Sequence, residues 1–151
     1  QVEVSNRQNN YVLCLEQYHE LVQRVLDYLK ISAAEISVQF VDNPTIARLN
    51  WQHLQHEGPT DIITFPLSPP DSDQIEGELV ISVPWASHTA AANGDQVEDE
   101  LNLYLIHGLL HLLGQDDISP EDSQKMKFRE YEILNALELT IPKGRFEFLG
   151  G

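Results

Sequence analysis

Two short strand patterns follow one another in the middle of the chain, and this order limits the folds it can adopt. The strand pattern in DIITFPL begins at Asp61 and is ended by Pro66, and GELVIS begins at Gly77. Between them, SPPDSDQ has the proline, serine and aspartate content of a loop. Short strands, two of them adjacent in sequence, favour a small mixed sheet covered by helices over a doubly wound parallel sheet.

Helical and strand periodicities are interspersed in the rest of the chain. Apolar residues recur at helical spacing from Leu15 to Leu29, and EISVQFVD then alternates as a strand does. Four further helices are predicted. They run from Asn43, as the cap, to about His53, over VPWASHTAAAN up to Gly94, from Val97 to Leu113, and from Ser119-Pro120 to about Leu139. QVEVS near the start is a candidate fourth strand. The prediction is an α+β fold, a small mixed four-stranded β-sheet with about five α-helices, forming one domain over residues 1–151 with residues 1–10 and 141–151 loose.

The charge balance restricts the partners of the protein. Its 151 residues include 24 acidic and 9 basic side chains, giving a formal net charge of −15. This argues against broad electrostatic binding of nucleic acid, although a local cationic cleft or a bound divalent ion remains compatible with it. No apolar run approaches the roughly 20 residues that span a bilayer. We therefore expect no membrane contact, and QVEVSNRQNN does not have the pattern of a secretory signal. A lone cysteine, Cys14, cannot form a disulfide within the chain, which fits a cytoplasmic location. We expect Cys14 to be buried.

The stretch HGLLHLLGQDD contains the residues with the clearest chemistry. His107 and His111 lie four positions apart and share one helix face, and Gly114 lets the chain leave the helix and turn back. Two imidazoles and a carboxylate can hold a zinc ion with one position open for water. We predict a metal site of His107, His111 and Asp117, with Asp116 as a catalytic group or as a partner that holds a ligand histidine. The alternative is two histidines on a half-exposed helix.

Gly108 argues against one class of metal enzyme. In the protease motif His-Glu-x-x-His the residue after the first histidine is the general base. Here that position is Gly108, so a protease of this type lacks its base. The glycine can instead leave room for a close approach of backbone or substrate.

HGLLHLLGQDD resembles the signature of the YbeY family, His-Gly-x-Leu-His-Leu-x-Gly-Tyr-Asp-His. Similar blocks are Leu49-Asn50 followed by PTDIITFP, the strand GELVIS, and Met126 with Glu130 in the last helix. The resemblance implies a metal-dependent, single-strand endoribonuclease of ribosomal RNA maturation and ribosome quality control. It also implies one zinc ion per chain, with other divalent ions as alternatives, and ribosomal RNA, the ribosome or assembly factors as partners.

The chain departs from this family pattern at two positions. Asp117 stands where the family has its third ligand histidine, and Leu54 stands where it has an arginine thought to face the cleft. His53 or His56 could replace that arginine in part, and Asp61 could act in the cleft or cap a turn. These departures keep two alternatives open, namely a ribosome-assembly factor with weak or absent nuclease activity and a metal-dependent hydrolase of another substrate, such as a peptide.

Overall fold

A computed structural model describes residues 1–69 and 71–146 of the chain. Within these ranges it contains four strands and five helices. The strands are β1 (Val2–Asn6), β2 (Ala34–Val41), β3 (Ile62–Pro66) and β4 (Ile75–Ser82), and the helices are α1 (Leu15–Tyr28), α2 (Asn43–Leu54), α3 (Val83–Asn93), α4 (Val97–Leu112) and α5 (Pro120–Ala136).

The four strands form one mixed sheet in the order β1-β2-β4-β3. Strands β1, β2 and β4 run parallel, and β3 pairs antiparallel with β4, with Ile63 opposite Val80. The two strands that are adjacent in sequence therefore supply the antiparallel edge. The predicted mixed four-stranded sheet with five helices is confirmed.

Helix α4 lies at the centre of the fold. Eleven of its 16 residues are buried, and it contacts β3, β4, α1, α3 and α5. Gly108 lets it approach the sheet closely, because a methyl group there would lie 2.7 Å from Ile62 Cδ1 and 2.8 Å from Leu79 Cδ2. A helix that is apolar on most of its faces is stable only when it is enclosed in this way.

Parts of both terminal segments are packed against the rest of the fold. Val2–Asn6 pair with β2, as the candidate strand QVEVS predicts, and Val2 is buried, so the expectation of loose residues 1–10 does not hold for this strand. The expectation for residues 141–151 is wrong for Phe146, which packs in the core, while residues 147–151 lie outside the described part of the chain. In both segments an apolar side chain, Val2 or Phe146, packs against the core, and amino-acid composition alone does not predict this packing.

Some local boundaries also differ from the prediction. The N-cap of α2 is Asp42, whose side chain accepts from the Thr45 amide at 2.9 Å, whereas Asn43 accepts a hydrogen bond from the Ser82 hydroxyl. Cys14 is exposed and not buried, because it is the residue that precedes α1. Among the described helices, none has the length and apolarity needed to cross a bilayer.

Candidate metal centre

The end of α4 brings the predicted ligands together. His107 and His111 lie on one face of its last turns, and Gly114 adopts a left-handed conformation with φ of 93°. The Gly114 amide bonds the His111 carbonyl at 2.9 Å, and the Gln115 amide bonds the Leu110 carbonyl at 3.1 Å. This is the Schellman arrangement that ends a helix and reverses the chain. It returns Asp117 to the two histidines.

The distances between the three side chains fit a single metal ion. His107 Nε2 and His111 Nε2 lie 3.0 Å apart, Asp117 Oδ2 lies 3.5 Å from His107 Nε2, and Asp117 Oδ1 lies 3.6 Å from His111 Nε2. With one oxygen from Asp117, the three candidate ligand atoms all lie within 4.8 Å of one another. Ligands of a tetrahedral zinc ion, at bond lengths of about 2.0–2.2 Å, are separated by about 3.3–3.6 Å. The donor set and its spacing therefore suit a small divalent cation.

Glu130 on α5 forms a hydrogen bond with one of the candidate ligands. Its Oε2 lies 3.0 Å from His107 Nδ1, and the residue is only 5% exposed. When Nδ1–H donates to this carboxylate, Nε2 keeps its lone pair for a metal. Burial lowers the pKa of His107, but the hydrogen bond and charge of Glu130, with the charges of Asp117 and Asp61, outweigh it and leave that pKa raised.

The neighbouring ligand has the opposite tendency. Burial, and then the proximity of His107, lower the pKa of His111. A cation at this point would therefore meet His111 as a neutral imidazole, whereas at His107 it would compete with a proton. Ion binding should weaken as the pH falls.

Replacing Glu130 should weaken metal binding without removing a ligand. Partners of this kind contribute about 10- to 100-fold to metal affinity, so Glu130→Gln should lower zinc affinity about 10-fold and Glu130→Ala by more. Competition with a chromophoric chelator measures the change. The matched control is Glu132→Gln on the same helix, because Glu132 is exposed and bonds Tyr28 and Arg129. Equal zinc affinity in Glu130→Gln and Glu132→Gln would contradict this role.

A cleft of about 260 Å³ opens beside the ligands. Its lining residues are Asp61, Leu103, Tyr104, His107, Asp117, Ser123, Met126, Lys127, Glu130, Arg145 and Phe146. Asp61 Oδ1 accepts from the Thr60 hydroxyl at 3.2 Å and from the Ile62 amide at 2.7 Å. Asp61 thus orders the start of β3 and also faces the cleft, so both roles considered for it from the sequence are compatible with its position.

Other residues singled out in the sequence lie away from the ligands. Asp116 is exposed, and its carboxylate accepts from the Ile118 amide at 3.4 Å; it neither lines the cleft nor joins the three-ligand group. His53 packs edge-on against Phe65, and His56 is exposed, so neither lines the cleft. The contact to a candidate ligand histidine that the sequence suggested for Asp116 is made instead by Glu130.

A polar cluster that the sequence does not predict lies behind the cleft. It consists of the buried residues Glu100 and Tyr104 with the partly exposed Arg145, whose Nε lies 3.7 Å from Glu100 Oε2. The guanidinium carbon lies 5.8 Å from the centre of the Tyr104 ring. Helical spacing could have indicated part of it, because Glu100, Tyr104 and His107 recur at intervals of four and three on α4. Nothing in the sequence indicated Arg145.

Glu100 should make stability depend on pH. Burial raises its pKa, and the charge of Arg145 only partly opposes this. The pKa of this carboxyl is higher in the folded protein than in the unfolded chain, where it is about 4.3, so the wild type loses stability as the pH rises above about 4.3. The Glu100→Gln variant has no such group. The free energy of unfolding of this variant, relative to that of the wild type, should therefore increase between about pH 4 and pH 7. Urea denaturation measures this, and a difference independent of pH would contradict it.

Comparison with known proteins identifies the relatives of the chain. A family model described as Endoribonuclease YbeY matches residues 3–138. A protein of that name from Oceanobacillus iheyensis is 39% identical, covering 79% of this chain and 87% of the relative. One from Syntrophus aciditrophicus is 34% identical and covers 87% and 86%, respectively. The solution structure of a Thermotoga maritima protein superposes with a TM-score of 0.63 at 25% identity, covering 91% of this chain and 92% of the other.

Proposed function

Because this chain belongs to the Endoribonuclease YbeY family, we propose that it is a metal-dependent endoribonuclease that cleaves single-stranded ribosomal RNA during ribosome maturation and quality control. The observation that carries the proposal is the convergence of His107, His111 and Asp117 on one point, with Glu130 orienting His107. A substrate of this kind implies work on the ribosome or its precursors in the cytoplasm.

In this proposal the chain holds one zinc ion through His107 Nε2, His111 Nε2 and an Asp117 oxygen. An ion held by these three residues would polarise a phosphate oxygen and acidify a bound water. Glu130 holds the His107 proton at Nδ1, so that Nε2 stays directed at the ligand point. The buried wall of α4, including Leu103, limits water on the inner side of the cleft.

The proton-accepting group is better assigned to Asp61 than to Asp116. Asp61 lines the cleft, and its hydrogen bonds to Thr60 and Ile62 engage Oδ1. Asp116 is exposed and does not line the cleft. We therefore assign Asp61 to accept or position a proton beside the ligands, and give Asp116 no chemical step.

The test is cleavage of structured ribosomal RNA by purified, metal-stripped protein. We expect no cutting after chelation and recovery on adding zinc or manganese. No cutting with either metal would contradict the proposal and favour an assembly factor that retains the fold. Chelator-sensitive digestion of casein, without RNA cleavage, would contradict it in favour of a peptide hydrolase.

Asp117 should determine how firmly the ion is held. A carboxylate is a harder ligand than the histidine of the family pattern, so we expect less than one tightly held ion per chain after dialysis against a mild chelator. Asp117→His should raise zinc occupancy, and Asp117→Asn should lower it further. Elemental analysis measures both. Full zinc occupancy in the wild type after that dialysis would contradict the expectation.

A further inference from the structure

Arg145 occupies an unusual place in a strongly acidic protein. The net charge is −15, with only nine Lys and Arg residues, and two of these, Lys127 and Arg145, line the cleft beside His107 and Asp117. A polyanion approaching this surface is repelled at long range, so its binding depends on cations placed at the site itself. Arg145 is therefore one of two cationic side chains that such a polyanion would meet in the cleft.

The hydrogen bonds of Arg145 do not account for that position. Its nearest carboxylate oxygen, Glu100 Oε2, is 3.7 Å from Nε, which is beyond hydrogen-bond distance. Buried Nε has no hydrogen-bond partner, and none of the guanidinium N–H groups donates to any residue in the ranges 1–69 and 71–146. Guanidinium carries five donors in a fork that matches phosphate. The side chain is 37% exposed, so solvent and ligands can reach it.

The surroundings of Arg145 hold the guanidinium at the cleft. The buried Glu100 carboxylate attracts it from behind, and the Tyr104 ring lies beneath it with 5.8 Å from ring centre to guanidinium carbon. Phe146, the next residue, is buried and anchors this part of the tail, and the Lys143 amide bonds the Asp95 carboxylate at 2.9 Å. These contacts place the cation, and none of them uses a guanidinium N–H donor.

We propose that Arg145 binds a phosphate of the RNA strand in the cleft, next to the His107–His111–Asp117 group, with Glu100 and Tyr104 as positioning residues. The proposal rests on the proposed ribonuclease function and adds a subsite to it. A cleft of about 260 Å³ lies below the roughly 300–1,000 Å³ of pockets that enclose a drug-sized ligand, so it suits one segment of a polymer.

The test measures binding of a labelled single-stranded RNA by fluorescence anisotropy, in a His111→Ala background so that the RNA is not cut. Arg145→Gln should lower affinity about 10-fold at low salt, as expected for loss of hydrogen bonds to a charged group. It should also reduce the magnitude of the slope of log K against log salt concentration by about 0.7, the value for one phosphate contact on a single strand. Arg129→Gln is the matched control, because Arg129 is 40% exposed and paired with Glu132 outside the cleft.

The double variant Glu100→Gln/Arg145→Gln separates phosphate binding from a structural role. If Arg145 only neutralised Glu100, removing both charges would restore RNA binding. Under the proposal the double variant binds RNA as weakly as Arg145→Gln, even where the single variant melts at a lower temperature. With the ligand set intact, Arg145→Gln should raise KM for RNA cleavage with little change in kcat, because the contact is present before and during reaction.

The outcomes distinguish the subsite from the enzyme. If the wild type cleaves RNA but Arg145→Gln keeps the parent's salt slope, or the double variant regains the parent's affinity, the phosphate subsite is wrong and the ribonuclease stands. If the wild type neither binds nor cleaves RNA with zinc or manganese, the ribonuclease is wrong and the subsite is overturned with it.

Discussion

His111→Ala is expected to abolish metal-dependent RNA cleavage. The substitution removes one of the three candidate ligand atoms, and the two that remain would be too few to hold an ion firmly. A catalytic metal contributes several kcal/mol to transition-state stabilisation, and each 1.36 kcal/mol corresponds to tenfold in rate, so we expect a loss of at least about 1,000-fold in kcat/KM. Single-turnover cleavage of ribosomal RNA with saturating zinc or manganese measures it.

Two controls make this result specific. His88→Ala removes an exposed histidine of α3 that has no part in the cleft, and it should cleave RNA as the wild type does. The fold of His111→Ala should persist, since His111 is half-buried at the end of α4 and not in the core. Equal cleavage by His111→Ala and wild type would show that the activity belongs to another protein in the preparation.

Gly108→Glu is expected to unfold the protein. The substitution would create the sequence His-Glu-x-x-His, but position 108 faces the sheet and not the ligand point. A Cβ there meets Ile62 and Leu79 side chains at 2.7 and 2.8 Å, and the carboxylate would be buried among apolar groups. Overpacking costs about 1–3 kcal/mol, and burying an unpaired charge adds several more. The sum is comparable to the whole stability of a typical domain, about 5–15 kcal/mol.

The measurement is urea denaturation followed by circular dichroism. Gly108→Ala should show the steric part alone, a loss of about 1–3 kcal/mol. Ala92→Glu introduces the same side chain on exposed helix surface and should change stability by less than about 0.5 kcal/mol. A folded Gly108→Glu with protease activity would refute the packing described for α4.

The convergence of the three candidate metal ligands at the end of α4 was predictable because it depends on residues that are close in sequence. His107, His111 and Asp117 lie within eleven consecutive residues, and helical spacing followed by a glycine stop is enough to bring them together. The mixed sheet was predictable for a related reason, since β3 and β4 are neighbours along the chain. Adjacent capping residues were ambiguous, because Asp42 and Asn43 are both good N-caps and only tertiary contacts decide between them.

The remaining parts of the site depend on contacts that are distant in sequence. Glu130 reaches His107 across 23 residues, and periodicity within one helix cannot reveal which face another helix presents to it. Arg145 comes from a segment expected to be loose, and its place follows from the burial of Phe146. The sequence directed attention to His53 and His56 as cations for the cleft, whereas the structure brings Lys127 and Arg145 there.

The hydrogen bond between His107 and Glu130 joins the ligand helix α4 to α5. An ion that binds only when this bond orients His107 must favour conformations in which α5 is docked, and by thermodynamic linkage the docked helix must favour the ion. Removal of metal should therefore accelerate hydrogen exchange of α5 amides more than those of β2 or β4. The rate of hydrogen exchange in α5 would then indicate whether the chain holds a cation.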